Sequence, residues 1–247
     1  LHDALPIYIT WNENYEQRPK WTTRTYRVNN NPGRGDPHYG LSMAGSRENV
    51  TANHTYRTQS YVKVLAEKLR KHPRFSSFLD NEDIIDVLSK TAILHDIGSV
   101  GIPDRIYLKP DPLTSDEFEI MKTHTTEGLN FILDVESDLK IELSFLKYAK
   151  EIIFCHHERW DGSGYPQGLS GEAIPVSARI MALVDTYDAM ISHRVYKAPM
   201  KHEQAVKIIS ESKGTQFDPD IAEAFIEINH KFHHIAYSYA DSDVDLK

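Results

Sequence analysis

Histidines that lie next to other potential metal ligands are the most informative feature of this 247-residue chain. His95 is followed directly by Asp96, and His156 by His157. An imidazole beside a carboxylate offers two ligands to one divalent cation, and the other carboxylate oxygen can bridge to a second cation. Adjacent residues of a straight helix point about 100° apart, so His95 and Asp96 can share a cation only near a helix end or distortion. Gly98 predicts such a break, although a lone His-Asp pair is more often a surface or capping feature.

Three further candidates lie on or at the ends of predicted helices: His54, His124 and Asp185. Asp188 lies one turn after Asp185 in an apolar run over 180–190, so both carboxylates leave one face of a largely buried helix. Imidazoles that are buried together repel protons, and buried carboxylates are costly unless cations compensate them. The set therefore favours a centre of divalent cations over separate hydrogen-bonded core or surface groups.

Helices are the elements that must position these residues. Apolar residues at three- and four-residue steps predict helices over about 48–69, 82–94, 114–124, 139–157, 175–190, 201–213 and from 218 onward. Thr114 has capping-box spacing, and Asp218-Pro219 is typical of a helix start. Because we find no period-2 strand runs, we expect an all-α fold. Residues 1–45 lack periodicity and predict an extension or linker before one domain over 46–240.

Composition excludes several classes of protein. The formal net charge of −8 argues against binding a nucleic-acid polymer through bulk charge. No run approaches the roughly 18–20 apolar residues that a membrane span needs, so we expect no span in this chain. The single cysteine, Cys155, cannot form an internal disulfide, and this fits a reducing, cytoplasmic compartment. We expect Cys155 to pack in the core rather than to bind metal.

Five segments, in order, resemble the motifs of the HD-GYP family. HTYR at 54–57 resembles its early HxxR, and HDIG at 95–98 its HD signature. HHERWDGSGYP at 156–166 is similar to the segment that names the family. DTYDAM at 185–190, followed by Arg194 and Lys197, resembles its DxxDAxxxxRxYK block, and FDP at 217–219 matches a common C-terminal motif. The resemblance covers about residues 46–230.

The resemblance implies an HD-domain helical bundle with the additional C-terminal helices of the HD-GYP branch. It also implies a metal-dependent phosphodiesterase for cyclic dinucleotides, chiefly cyclic di-GMP, with cyclic GMP-AMP as the other candidate. Two divalent ions would bind. The metals usual in the family are iron and manganese, and the sequence does not exclude zinc. By position, the family metal ligands correspond to His54, His95, Asp96, His124, His156, His157 and Asp185. We expect Asp96 to bridge the ions, which would activate a water for in-line attack on phosphorus.

Other roles follow from the same resemblance. Arg194 and Lys197 match the family's phosphate-binding positions, and Tyr165 and Ser99 are further candidates for substrate binding. From its position one turn after Asp185, Asp188 is a catalytic candidate that would orient the water or a ligating group, and a structural role behind the metal ligands fits equally well. The glycine-rich segment at 161–166 would shape the substrate pocket and recruit partners such as GGDEF-domain cyclases, although a rigid turn with a packed tyrosine would look the same. An upstream receiver or sensor domain would fit this family.

Two other functions compete with an active phosphodiesterase. The family usually has a lysine where this chain has Ser99, and this substitution motivates a module that binds the nucleotide or docks a cyclase with poor turnover. The second alternative is an HD hydrolase of another phosphate ester.

The residue at position 50 predicts how many metal ions the protein binds. Many family members have a glutamate four residues before the first histidine, where it helps to hold a third metal, but this chain has Val50 there. We expect metal analysis of protein purified without chelator to find two ions per chain, and a third in Val50→Glu. Three ions in the wild-type protein would contradict this, and would indicate that Glu48 supplies the missing ligand.

Overall fold

The computed structural model describes residues 52–139, 145–192 and 199–240, and the regular elements in these ranges are helices, with no β-strand. The predicted all-α fold is confirmed. The α-helices of the described ranges are α1 (Ala52–Leu69), α2 (Glu82–Thr91), α3 (Asp104–Tyr107), α4 (Ser115–Lys122), α5 (His124–Leu139), α6 (Leu146–Cys155), α7 (Val176–Ile191), α8 (His202–Glu211) and α9 (Pro219–Ser238). Short 3-10 turns follow α2 at Ala92–Leu94 and Ile97–Gly101.

Helix α7 is the axis of the bundle, because it is buried along most of its length and contacts α1, α6, α8 and α9. An aromatic cluster fixes it to α1 and α9. The ring of Tyr61 on α1 stacks on Phe232 of α9 at 4.7 Å and meets Tyr187 of α7 edge-on at 5.4 Å. All three rings are fully buried, and they hold the helix that carries Asp185 and Asp188.

The predicted helix starts are confirmed where capping chemistry specified them. Thr114 accepts the N–H of Glu117 at 3.3 Å, and the Glu117 carboxylate accepts the N–H of Thr114 at 2.8 Å, so the capping box is complete. Asp218 accepts the N–H of Asp220 at 2.9 Å and also receives the guanidinium of Arg179 at 2.6 Å. The buried Asp218 thus joins α9 to α7 as well as starting α9.

Two predicted helix boundaries are wrong. The helix predicted over 114–124 ends at Lys122, and His124 begins the separate helix α5. The hydroxyl of Thr123 donates to the carbonyl of Ile120 at 2.7 Å, a local bond of the kind that competes with continued helix. The second error concerns the helix predicted to begin at about residue 139. Leu139 is the last residue of α5, and within the described residues the next helix, α6, begins at Leu146.

The predicted distortion at His95-Asp96 is present. Gly98 was expected to break the helix, but its main structural role is to allow close packing against α5. Helix α2 gives way to 3-10 geometry, and Asp96 lies between the two turns with φ −102° and ψ 17°. Gly98 then packs against α5, where a methyl group would overlap the carbonyl oxygen of His124 and the backbone of Gly128. The glycine therefore permits a close backbone approach that brings Asp96 beside His124.

Several expectations concern residues outside the described ranges. The predicted extension at 1–45, Val50, Arg194 and Lys197 all lie there, so the boundary of the domain at residue 46 stays a prediction. Among the helices of the described ranges, none combines the length and the apolar character that crossing a bilayer requires.

Gly98→Ala tests the close approach of these two backbones. We expect the added methyl to lower the free energy of unfolding by about 1–3 kcal/mol and to reduce bound metal, because α5 must move away with His124. Gly101→Ala is the matched control, since a Cβ there would lie at an ordinary 3.5 Å from the Glu127 side chain. Urea unfolding and metal analysis measure both effects, and equal behaviour of the two variants would contradict the interpretation.

Candidate metal centre

Asp96 lies at the middle of the candidate site, and its two oxygens face different imidazoles. Oδ1 is 3.4 Å from Nε2 of His124 and 3.5 Å from Nε2 of His156. Oδ2 is 3.3 Å from Nε2 of His95, which in turn lies 3.7 Å from Oδ1 of Asp185. Ligands that each lie about 2.0–2.2 Å from one cation are separated by distances of this size. One carboxylate therefore joins two groups of potential ligands.

Backbone carbonyls fix the orientation of three of these imidazoles. The Nδ1 atom of His95 lies 2.8 Å from the carbonyl of Ala92, and Nδ1 of His124 lies 2.7 Å from that of Met121. Nδ1 of His156 lies 2.9 Å from the carbonyl of Ile152. Since a carbonyl can only accept, the proton of each neutral ring belongs on Nδ1. In its neutral form each ring thus presents an unprotonated Nε2, the form that binds a metal.

His54 is held by a carboxylate instead of a carbonyl. Its Nδ1 lies 2.7 Å from Oδ2 of Asp188, and its ring centroid is 5.9 Å from that of His95. Asp188 also accepts from Nε of Arg57 at 2.7 Å and from Ser192 at 3.3 Å. Of the two roles expected for Asp188, these contacts fit the orientation of a ligating group. The arrangement of carboxylate and histidine is the one that commonly supports metal ligands.

The buried nitrogens at this site fit a cation better than any protein partner. Nε2 of His124 and Nε2 of His156 are buried, and neither has a hydrogen-bond partner among the described residues. The ligand atoms of these two residues, His157 and Asp96 all lie within 4.8 Å of one another. Three imidazoles and a carboxylate are a donor set suited to a divalent transition metal. The described residues therefore include a cluster that can hold a metal ion.

Burial and neighbouring charges set the protonation of the cluster. Burial, and then the nearby imidazole of His156, hold the pKa of His157 well below its ordinary value. Burial likewise lowers the pKa of His124. Burial also disfavours a charged His95, but the carboxylates of Asp96 and Asp185 outweigh it and raise its pKa to about 10. A positive charge is therefore favoured between Asp96 and Asp185, where a bound cation would replace the proton.

The glycine-rich segment after the histidine pair folds back over the cluster. Tyr165 stacks on the ring of His157 with centroids 4.8 Å apart. The buried carboxylate of Glu158 accepts the backbone N–H of Gln167 at 2.8 Å and of Leu169 at 2.9 Å. Gly164 lies so close to the backbone of 157–159 that a Cβ would overlap it. Glu158 is thus used in holding this loop and not as a further metal ligand.

A cavity of about 320 Å³ adjoins the cluster. Its floor includes His156 and His157, one wall comes from α4, and another comes from the loop with Tyr165. The remaining lining residues are Phe118, Lys122, Glu158, Arg159, Ser163, Gly164, Ala182, Thr186 and Gln216. A ligand in this cavity would lie directly against the candidate metal ligands.

The predicted site residues are thus brought together to different degrees. Of the seven predicted metal ligands, Asp96, His124, His156 and His157 bring their ligand atoms together, and His95 and Asp185 adjoin Asp96. The ring of His54 lies 5.9 Å from that of His95, and Tyr165 lines the cavity beside the cluster. Ser99 is only 4% exposed and does not line this cavity, while Arg194 and Lys197 lie outside the described ranges. Cys155 packs with Ile174 and Ala178, and burial raises the pKa of its thiol to about 12, as expected for a packing residue.

Sequence reasoning assigned no role to Glu158, Arg57 or Lys122. Glu158 and Arg57 carried a signal, because each is a charged residue within a matched motif. Their partners could not be read from the sequence. Glu158 binds backbone amides of the loop, and Arg57 binds Asp188, which lies far away along the chain. The sequence carried no comparable signal for Lys122.

Comparison with protein families matches residues 43–221 to the HD domain family. A cyclic di-GMP phosphodiesterase of Vibrio cholerae is 49% identical over 201 residues, which cover 81% of this chain and 40% of that protein. A 3'3'-cGAMP-specific phosphodiesterase of the same organism is 35% identical over 190 residues, which cover 76% of this chain and 34% of that protein. The chain therefore spans less than half the length of these relatives.

A solved structure has the same fold. The crystal structure of a cyclic GMP-AMP-specific phosphodiesterase of Vibrio cholerae superposes with a TM-score of 0.53 at 18% identity, covering 84% of this chain and 51% of that one. At this identity the match concerns the fold alone, and it agrees with the predicted helical bundle.

Asp188→Asn tests the support behind His54. We expect unfolding to become easier by about 3–5 kcal/mol, because Arg57 would be left buried without its carboxylate, and bound metal to decrease. Asp86→Asn, which alters an exposed carboxylate paired with Lys90, should change stability by less than about 0.5 kcal/mol. Urea unfolding and metal analysis compare the two, and a stable Asp188→Asn protein with full metal content would refute this role.

Proposed function

This chain is a member of the HD domain family, in its HD-GYP branch, and we propose that it is a metal-dependent phosphodiesterase that hydrolyses a cyclic dinucleotide. The main support is the position of Asp96, whose two oxygens face two separate groups of potential ligands, His95 with Asp185 and His124 with His156. Such a bridging carboxylate is typical of centres that cleave phosphate esters with two cations. We propose cyclic di-GMP as the substrate in preference to cyclic GMP-AMP, because the relative named for cyclic di-GMP is 49% identical and the one named for cyclic GMP-AMP is 35% identical.

Two divalent ions would share the ligands around Asp96. One ion would be held by His54, His95, Asp96 and Asp185, and the other by Asp96, His124, His156 and His157. Mixed imidazole and carboxylate ligands suit iron or manganese. When bound, the ions supply neutralisation of the phosphate oxygens and a lowered pKa for a water molecule.

The protein's own residues would orient the reaction. The carbonyls of Ala92, Met121 and Ile152 hold their imidazoles with Nε2 towards Asp96, where the ions would bind. Asp188 holds His54 in the same way. Glu158 fixes the loop that carries Tyr165, so the cavity keeps its shape beside the scissile phosphate. Arg194 and Lys197 would contribute positive charge to phosphate binding.

A regulatory role is the second candidate, and Ser99 is the observation that favours it. The side chain that replaces the usual lysine of the family is buried and brings no charge to the site. A module that binds cyclic di-GMP with slow turnover would fit this loss. The exposed part of the loop at 161–168 would then be the surface that recruits a GGDEF-domain cyclase in bacterial second-messenger signalling.

Hydrolysis assays separate these functions. With manganese or iron supplied, the protein should open cyclic di-GMP to the linear dinucleotide faster than it cleaves cyclic GMP-AMP or a generic diester. Tight binding of cyclic di-GMP without turnover would instead indicate the regulatory module. Cleavage of generic esters alone would indicate another HD hydrolase.

Asp96→Ala and His156→Ala test the metal centre itself. Each variant should lose bound metal and reduce kcat by more than about 100-fold, because loss of a ligand exceeds the effect usual for its supporting groups. His230→Ala, on the exposed face of α9, is the matched histidine control and should keep both properties. Near-normal metal content and kcat in Asp96→Ala would rule out the bridging role.

A further inference from the structure

The cavity beside the candidate metal centre is lined by more positive than negative charge. Its cationic lining residues are Lys122 and Arg159, and the acidic one is Glu158. Both oxygens of Glu158 already accept backbone N–H groups of the loop, so this carboxylate is turned into the protein. The cavity is therefore suited to an anionic part of a ligand, next to the cluster of imidazoles.

Lys122 is the cation that can reach into this space. Its Nζ lies 5.7 Å from the centroid of Tyr165 and 5.5 Å from that of Phe118, above two rings that meet edge-on. Tyr165 stacks in turn on His157, so a single aromatic ring separates the ammonium from the candidate metal ligands. Lys122 thus belongs to the wall of the cavity and not to the outer surface of α4.

The present partner of Lys122 leaves its ammonium available. Glu119, one turn earlier on α4, accepts from Nζ at 2.6 Å, but this carboxylate is 69% exposed. Exposed pairs of this kind contribute little, and an ammonium has three donors. Arg159 is held to the loop instead, where its Nε donates to Ser163 at 3.0 Å and lies 3.8 Å from Asp161, and no ring contact in the described part of the chain places it beside His157. Lys122 is therefore the better candidate for an incoming anion.

We propose that Lys122 is a specificity-determining residue that binds the phosphate of the substrate that is not being cleaved. This inference rests on the proposed function. A cyclic dinucleotide carries two phosphodiesters in one ring, so when one phosphate lies at the metal centre the other must occupy the adjoining space. The ammonium of Lys122 meets that second phosphate, in addition to any contact from Arg194 and Lys197. A diester with one phosphate has nothing for Lys122 to bind.

Lys122→Gln tests this assignment with two substrates. We expect the KM for cyclic di-GMP to rise by about tenfold or more, the size of one lost charge-assisted hydrogen bond, with kcat less affected. For bis(4-nitrophenyl) phosphate, which has a single phosphate, kcat/KM should stay within about twofold of wild type. Lys122→Arg keeps the charge and should retain most of the affinity for cyclic di-GMP.

Lys147→Gln is the matched control. Lys147 also lies near a same-helix glutamate, Glu151, and its Nζ lies 6.0 Å from the ring of Tyr148, but it does not line the cavity. It should leave both substrates unaffected. An unchanged KM in Lys122→Gln, or equal losses on both substrates, would overturn the proposal.

Measuring the affinity for cyclic di-GMP tests the role of Lys122 even if the protein has no phosphodiesterase activity. If the wild-type protein hydrolyses neither substrate, the phosphodiesterase function is wrong, and calorimetry with cyclic di-GMP then decides the role of Lys122. The same titration can be made in an Asp96→Asn background, where the proposed function expects no turnover. A Kd at least about tenfold weaker in Lys122→Gln supports the assignment, and an equal Kd refutes it.

Discussion

The fold is arranged around one electrostatic constraint, the burial of several imidazoles and carboxylates at one place. Asp96 lies within 3.5 Å of three different imidazoles, and two of these present buried nitrogens without a hydrogen-bond partner in the described structure. Such groups destabilise a protein interior unless a positive charge is shared among them. The same constraint explains why no single helix carries the site. Its groups come from α1, the 3-10 turns after α2, the start of α5, the end of α6 and the middle of α7.

Supporting contacts turn this cluster into a defined centre. Carbonyls in the turn before each histidine set the orientation of three imidazoles, and those of Ala92 and Ile152 accept a backbone N–H as well as the ring nitrogen. His54 lies within α1 and needs another acceptor, which Asp188 provides. Arg57 then pairs with Asp188 and donates to the carbonyl of Tyr239 at 2.8 Å, so the C-terminal end of α9 is tied to the centre. The C-terminal helix thus supports the candidate metal centre as well as the core.

The loop after the histidine pair shapes what can reach the centre. Glu158 and Gly164 fix its backbone, and Tyr165 is thereby placed on the ring of His157. The proposed contact of Lys122 with a second phosphate depends on this position, because the ammonium lies over the same tyrosine. Metal binding and selection of a two-phosphate ligand would then be separate properties of adjoining surfaces, one built from helix ends and the other from α4 and the loop.

The sequence by itself determined the helical class, the capped starts at Thr114 and Asp218, and the set of candidate ligands, because these depend on local periodicity, on short-range side-chain chemistry and on motif spacing. Only the tertiary structure decided the purpose of Gly98, whose partner His124 is 26 residues away along the chain, and the start of a new helix at that histidine. It also decided that Asp188 faces His54 and Arg57, and that Glu158 faces the loop. A carboxylate next to a candidate ligand has the same sequence signal whether it binds a metal or supports the residue that does. Only the packing of distant segments selects between these, since the cost of burying its charge is met by whichever partner lies within hydrogen-bond distance.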